Sequence, residues 1–341
     1  MRVIHADLVT AQQSGATDPY IYLSINSTDY SSRLLALEHT EEPYRNQATL
    51  ILTNSDRHFD SVSLLGKSFT IGYGYVTSSG NRYCGDGDGT EAMPTLWVKS
   101  QSQVSMEGKL VCILYCEGGW FKLREHRFIT TSDPPHFNIE FVSTDTVYQL
   151  IEKALTETGF TLSSQSIDDI IQDFLPIFTA NPLSFESPAS IIYRLIQMTK
   201  CHVREVEASN YEVLYPQTSD DMDETYYSDQ APQFKEYVEQ VKLLIPNSIV
   251  VFCNRDNSGA WSPDTMITGT ASDADSIAAY GEVIEYHTAP YIDNQVDADR
   301  RADAILTRLK YEILGGRLLL PYHDARVELY DRVKVWDSRG S

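Results

Sequence analysis

Three regimes of hydrophobic and polar patterning follow one another along the chain. Up to about residue 131 the apolar positions come in short runs separated by polar turns. Residues 20–25, 34–40, 48–53, 68–76, 95–104 and 109–118 each read as a strand, with EEPYRN and Asn54-Ser55-Asp56 as turn-forming breaks. Many short strands of this kind predict a barrel or sandwich.

From about residue 132 the period lengthens. Asp133-Pro134-Pro135 reads as a linker. In residues 146–158, Val147, Leu150, Ile151, Ala154 and Leu155 fall at helical spacing, with Thr144 or Asp145 as cap and Gly159 as stop. Residues 166–174 predict a short helix ended by Pro176, and Ser187-Pro188 opens another whose stripe is Ile191, Ile192, Leu195 and Ile196. Residues 201–206 and 210–215 read as a hairpin, so this block predicts a small α/β unit.

An acidic connector, residues 218–229, leads into the third regime. Here 243–245, 248–253, 267–270 and 282–286 read as strands, 254–264 as a long turn and 273–280 as a short helix. A long helix over 296–314 carries Ala302, Ile305, Leu306, Leu309 and Ile313 on one stripe and stops at Gly315-Gly316. A strand follows, then a turn, then a final alternation of Val327, Leu329, Val333 and Val335 with polar residues. The fold class expected is therefore α+β, mainly β. Residues 1–131 and 218–341 form two β-barrel-like domains, and 132–217 an α/β domain between them.

Charge narrows the function. The 341 residues carry 48 acidic and 27 basic side chains, a formal net charge of −21. Proteins that hold nucleic acid by its phosphates need clustered Lys and Arg, and anionic membrane surfaces attract basic ones, so both roles are disfavoured. An acidic surface suits a soluble protein, or a passage through which DNA slides without sticking. The five cysteines are odd in number and include no CxxC; they are expected to be reduced and buried, Cys112 and Cys116 on one face of a strand. No apolar run reaches the ~20 residues that span a bilayer, and the first residues have no apolar signal core. Synthesis in a bacterial cytoplasm is the matching expectation.

No chemistry announces itself. Asp86-Gly87-Asp88-Gly89 starts like a calcium loop, but Thr90 falls at position five, Glu91 at six and Trp97 at twelve, so it reads as a hairpin tip. Any weak metal site near Asp86 and Asp88 would have another geometry. Gly72-Tyr73-Gly74 sits inside a strand with no helix after it, which points to close packing rather than a dinucleotide site. The eight histidines are dispersed; Glu125-His126 and His323-Asp324 read as ordinary neighbours in the absence of a nucleophile. The cluster Asp220, Asp221, Asp223 and Glu224 reads as a solvated connector. No catalytic residue, metal ligand or cofactor site is assigned.

The final stretch Leu329-Tyr330-Asp331-Arg332-Val333-Lys334-Val335-Trp336-Asp337 resembles the closing phrase of phage tail hub (baseplate hub) proteins of the late-control type. Tyr330 stands where that family usually has Gly. The phrase QATLILTNSDRHFD, followed by LLGKSFTIGYGYV, is similar to the N-terminal barrel of the same family. The resemblance implies a non-enzymatic homotrimer, with two barrel-like domains per subunit forming a ring that continues the tail-tube channel. It also implies a place in the virion tail. The partners would be the tail-tube or distal tail protein, the tape measure protein and tail fibres or spikes, with DNA passing through the lumen without specific binding. Two other roles stand beside it: a receptor- or glycan-binding β protein of the virion, and a carboxylate-based glycan hydrolase.

Overall fold

A computed structural model of the chain describes residues 1–14, 18–87, 89–106, 108–127, 144–163, 186–254, 262, 264–290 and 292–338. The expected Pro-Pro linker, the helix over 166–174 and most of the turn 254–264 lie outside these residues.

The chain opens with a helix, α1 (Ala6–Gln13), ahead of the first strand expected from sequence. The strands β1 (Pro19–Ile25), β2 (Thr28–Asp29), β3 (Leu34–Glu42), β4 (Arg45–Thr53), β5 (Ser68–Thr77), β6 (Gly80–Tyr83), β7 (Leu96–Met106) and β8 (Lys109–Glu117) then build one antiparallel sheet. Its order is β2-β1-β5-β7-β8-β4-β3, with β6 paired to β5. The side chains alternate as the period of two requires: in β4, Asn46, Ala48, Leu50 and Leu52 are buried and the residues between them are not. The sheet curls, so that Leu23 and Ile25 near one end and Leu50 and Leu52 near the other share one core with Phe59, Phe69 and Leu114. Among the described residues no ladder joins β3 to β1 or β2, so the sheet is curled but open, not a closed barrel. The reason lies later in the chain. Residues 322–326 pack against the interior, with Ala325 in the same core and His323 stacked on Tyr73.

Helix α2 (Gly119–Glu125) follows, unforeseen because its start, Gly118-Gly119, supplies no capping side chain. Helix α3 (Val147–Thr156) is capped by Thr146 in a capping box with Gln149, not by Thr144 or Asp145 as expected from sequence. The strand β9 (Thr161–Leu162), helix α4 (Pro188–Ile196) with Ser187 as N-cap, and the hairpin β10 (His202–Glu205) and β11 (Asn210–Leu214) complete the middle block.

Beyond it lie β12 (Glu224–Tyr227), β13 (Glu236–Val241), β14 (Ser248–Cys253), β15 (Ile267–Ser272), α5 (Ala274–Tyr280), β16 (Ile284–Ala289), α6 (Gln295–Glu312), β17 (Leu314–Leu319) and β18 (Val333–Trp336). These strands form three small sheets and no barrel: β12 beside β18, β13 beside β17, and β15-β14-β16. Residues 243–245 are not a strand, and Val327 and Leu329 precede the last strand instead of belonging to it. Gly315 and Gly316 do not end the long helix; they lie inside β17. The large second core joins α3, α4, β10 and β11 of the middle block to β14 and α6, and reaches Trp97 and Leu123 of the N-terminal block. Helix α6 lies so close on β15 that a Cβ on Gly269 would stand 2.0 Å from the Ala298 carbonyl oxygen.

Candidate assembly surface

The least supported element is the ribbon of β13 and β17. It pairs antiparallel over six rungs, from Glu236 opposite Leu319 to Val241 opposite Leu314. Opposed residues share a face, so Tyr237, Leu318, Val241 and Leu314 line one side and Val238 and Leu319 the other. Val241 and Leu314 are 64 % and 61 % exposed. Only Glu236 and Arg317 form a surface ion pair across the ribbon. Among the described residues neither outer edge carries a further strand. A two-stranded ribbon with both faces wet is marginal by itself, and open edges present rows of unpaired N–H and C=O groups to another chain. The glycines suit this place: a Cβ on Gly316 would meet the Val238 carbonyl oxygen at 2.5 Å, so the ribbon closes only without one. The second small ribbon, β12 with β18, exposes Val333 and Trp336, the latter 52 % accessible.

The ribbon leads back to a junction where all three parts of the chain meet. Arg204 of β10 donates to Glu212 (2.7 Å), to the Leu329 carbonyl (3.1 Å) and to Asp331 (2.9 Å). Arg2 donates to the Ala325 carbonyl at 2.8 Å and to Glu328 at 3.2 Å, and the Met1 ammonium lies 3.2 Å from Asp331. Burial pushes the Glu328 carboxyl up, against the pull of Arg2 and Arg204. Nearby, burial raises Glu41 to about 7. A second group fixes the same segment. Asp324 is buried and accepts from Gln12, from the Tyr226 hydroxyl and from Arg326. Glu205, the residue after Arg204, accepts from the Gly119 and Trp120 backbone N–H groups and from the Tyr211 hydroxyl. It therefore caps α2 from another strand, which replaces the missing local cap.

The structure gives each motif of the sequence its place. Asp86 accepts from Arg82 and Thr90; Asp88 lies outside the described residues. No group of three potential metal ligands occurs among the described residues. Gly72 and Gly74 allow close approach as expected: Cβ atoms there would meet the Tyr83 ring at 2.4 Å and the Arg82 carbonyl oxygen at 1.9 Å. The Tyr83 ring stacks on Tyr22 with centroids 4.4 Å apart. His323 and Asp324 diverge, the ring onto Tyr73 and the carboxylate onto Arg326, so they do not form an acid–base pair. All five cysteines are buried thiols outside any disulfide; burial raises Cys112 to about 11 and Cys116 to about 12. The acidic connector is partly tied down, not simply solvated: Asp223 accepts from the Arg332 N–H at 2.7 Å and Glu224 pairs with Arg326. Its role as β12 was hidden because acidic residues and turn formers surround the short Glu224-Thr225-Tyr226-Tyr227 run. No described helix is long and apolar enough to cross a membrane.

No protein-family model matches the chain, and no curated protein matches it by sequence. Solved structures do match in fold. The tail protein from Neisseria meningitidis MC58 superposes with a TM-score of 0.65 at 11 % identity, over 94 % of this chain and 87 % of that one. The 43 kDa tail protein of prophage MuSo2 from Shewanella oneidensis gives 0.62 at 10 % identity, over 94 % and 90 %. Prophage tail protein gp18 from Listeria monocytogenes EGD-e gives 0.52 at 10 % identity, over 83 % and 76 %. At such identities the likeness is one of fold.

Proposed function

We propose that this chain is a structural part of a phage or prophage tail, a hub subunit that assembles as a trimeric ring continuing the tail-tube channel. The observation that carries the reading is the β13–β17 ribbon, a pair of strands wet on both faces and open at both edges, in a chain whose fold is shared with prophage tail proteins. In the ring, strands of neighbouring copies cover this ribbon and complete the barrel that one copy lacks. The division into blocks 1–131, 132–217 and 218–341 belongs to the same proposal, with the middle block at the periphery. The net charge of −21 supports a lumen without basic traps for DNA. Neighbouring tail-tube, tape-measure and fibre proteins are the expected partners.

The test is the mass and symmetry of the assembled protein. Light scattering and electron microscopy should find a threefold ring, and Val241→Lys with Leu314→Lys should give a folded monomer. A wild-type protein that stays monomeric at high concentration, alone and with its neighbouring tail proteins, sinks the proposal.

A further inference from the structure

A wide recess lies beside the base of the ribbon. It is a groove of about 640 Å³ between the end of α1, the start of β1, the middle of β5, and the two segments that flank the ribbon, residues 229–233 and 321–323. That volume falls within the ~300–1,000 Å³ typical of small-ligand clefts, and a junction of chain segments is a common place for one.

Its walls have a consistent chemistry. Tyr20 and Tyr322 are half-buried, and His323 is exposed to the groove although protein surrounds it. The His323 ring is held in place by stacking on Tyr73, centroids 3.8 Å apart and planes 22° from parallel. Tyr73 is itself fixed by a 2.9 Å hydrogen bond to His39. The wall therefore presents flat, rigid rings. Between them stand the exposed side chains of Gln13, Gln230 and Gln233, whose amides can both donate and accept, Gln233 being oriented by its bond to the Ser228 carbonyl at 2.9 Å.

Charge excludes several ligand classes. Among the described residues no Lys or Arg lines the groove, and Asp229 is the one carboxylate. The protein around His323 lowers its pKa to about 4, so the ring is neutral at pH 7. A phosphate, nucleotide or acidic glycan would find no cation there. A cationic ligand would find a single exposed carboxylate, worth little at a wet surface. A ligand with apolar flat faces and a rim of hydroxyls matches what remains: rings for the faces, amides for the rim.

We infer that the groove bounded by Tyr20, Gln13, Gln233, Tyr322 and His323 binds a neutral oligosaccharide. The inference does not rest on the tail reading and would hold for a monomer.

The experiment is a glycan array spanning neutral and acidic oligosaccharides, probed with the full chain at pH 7, with each bound glycan confirmed by saturation-transfer NMR. Tyr20→Ala and Gln13→Ala are the test variants. Both residues sit at the groove's rim outside the core, and circular dichroism verifies each fold. Expected are binding of one or more neutral glycans and a loss of about tenfold in affinity in either variant. Tyr280→Ala, an exposed residue of α5 outside the groove's lining, should bind as the wild type does. Absence of neutral-glycan binding, a preference for acidic glycans, or neutral binding undiminished in both groove variants each overturns the inference.

Discussion

Tyr330 shows how much one residue can carry. Its φ of 73° lies in the left-handed region, where a non-glycine residue costs roughly 1–2 kcal/mol. What offsets that cost is the ring, half-buried and 4.5 Å from the His202 ring. Full burial of such a side chain contributes roughly 1.5–3 kcal/mol, so the half-buried ring contributes about half of that, and the ring pair about 0.5–1.5 kcal/mol. Tyr330→Gly should therefore destabilise by about 1 kcal/mol in urea unfolding, despite relieving the backbone; an unchanged or raised midpoint would show that the ring contributes little. The departure from glycine was visible in the sequence, but the His202 ring that compensates it was not, because the two residues are far apart in the chain. His202 also sets a pH limit. Desolvation and the nearby Arg308 lower it to about 4, so the unfolded chain takes up its proton near pH 6.5 and the folded one only near 4. Its contribution is full above pH 6.5 and lost as pH falls towards 4. Glu41 acts in the opposite sense. Raised to about 7 by burial, it is protonated first in the folded state, so its contribution is full below about 4.5 and lost as pH rises through 7. Melting curves should show His202→Gln flattening the acid limb between pH 6.5 and 4. Glu41→Gln should melt above the wild type at pH 8 and match it at pH 4.

At the scale of elements, legibility followed how local the determinants are. Helix α6 was readable because its stripe and its Asn294 cap lie within the helix and its first flanking residue. Helix α2 was not, since its cap comes from Glu205 on a distant strand. Strand β17 was misread for a related reason: a glycine pair signals a helix stop locally, and only the partner β13 makes it a strand. The position of α6 rests on two contacts that no local pattern reveals. One is the absence of a Cβ at Gly269 beneath Ala298. The other is Arg308, which donates to the Ile196 carbonyl at 2.8 Å, to Thr199 at 3.1 Å and to Cys201 at 2.6 Å, and so closes the C-terminal end of α4. Gly269→Ala should push α6 off its sheet and cost about 1–3 kcal/mol, as overpacked core sites do. Arg308→Ala leaves three carbonyls without their charged donor and should cost about 2–4 kcal/mol in denaturant titrations.

At the scale of the molecule the blocks are held together by charge as well as by the shared core. Each half of the chain keeps its own alternation of apolar residues, which is why many of its strands were legible. Their closure was not, because the segment that fills the N-terminal sheet comes from residues 322–326. Arg204 is the knot: from the middle block it reaches Asp331 and the Leu329 carbonyl of the final segment, while Arg2 from the N-terminus reaches Glu328 and Ala325 there. The Arg204 side chain is 10 % accessible and that of Asp331 4 %, so removing the cation takes Glu212's partner away and leaves Asp331 and Glu328 to Met1 and Arg2 where water hardly reaches. A buried pair broken on one side typically costs about 3–5 kcal/mol. Arg204→Met should thus unfold at markedly lower denaturant, and hydrogen exchange should quicken first in residues 324–332 and in the first residues of the chain. Arg204→Met combined with Asp331→Asn should cost less than the sum of the two, since the second substitution removes a carboxylate that the first deprives of a cation. If Arg204→Met instead shifts stability by no more than ~0.5 kcal/mol, as a surface substitution does, the core alone holds the blocks together and the final segment is bound by packing, not by the ion network.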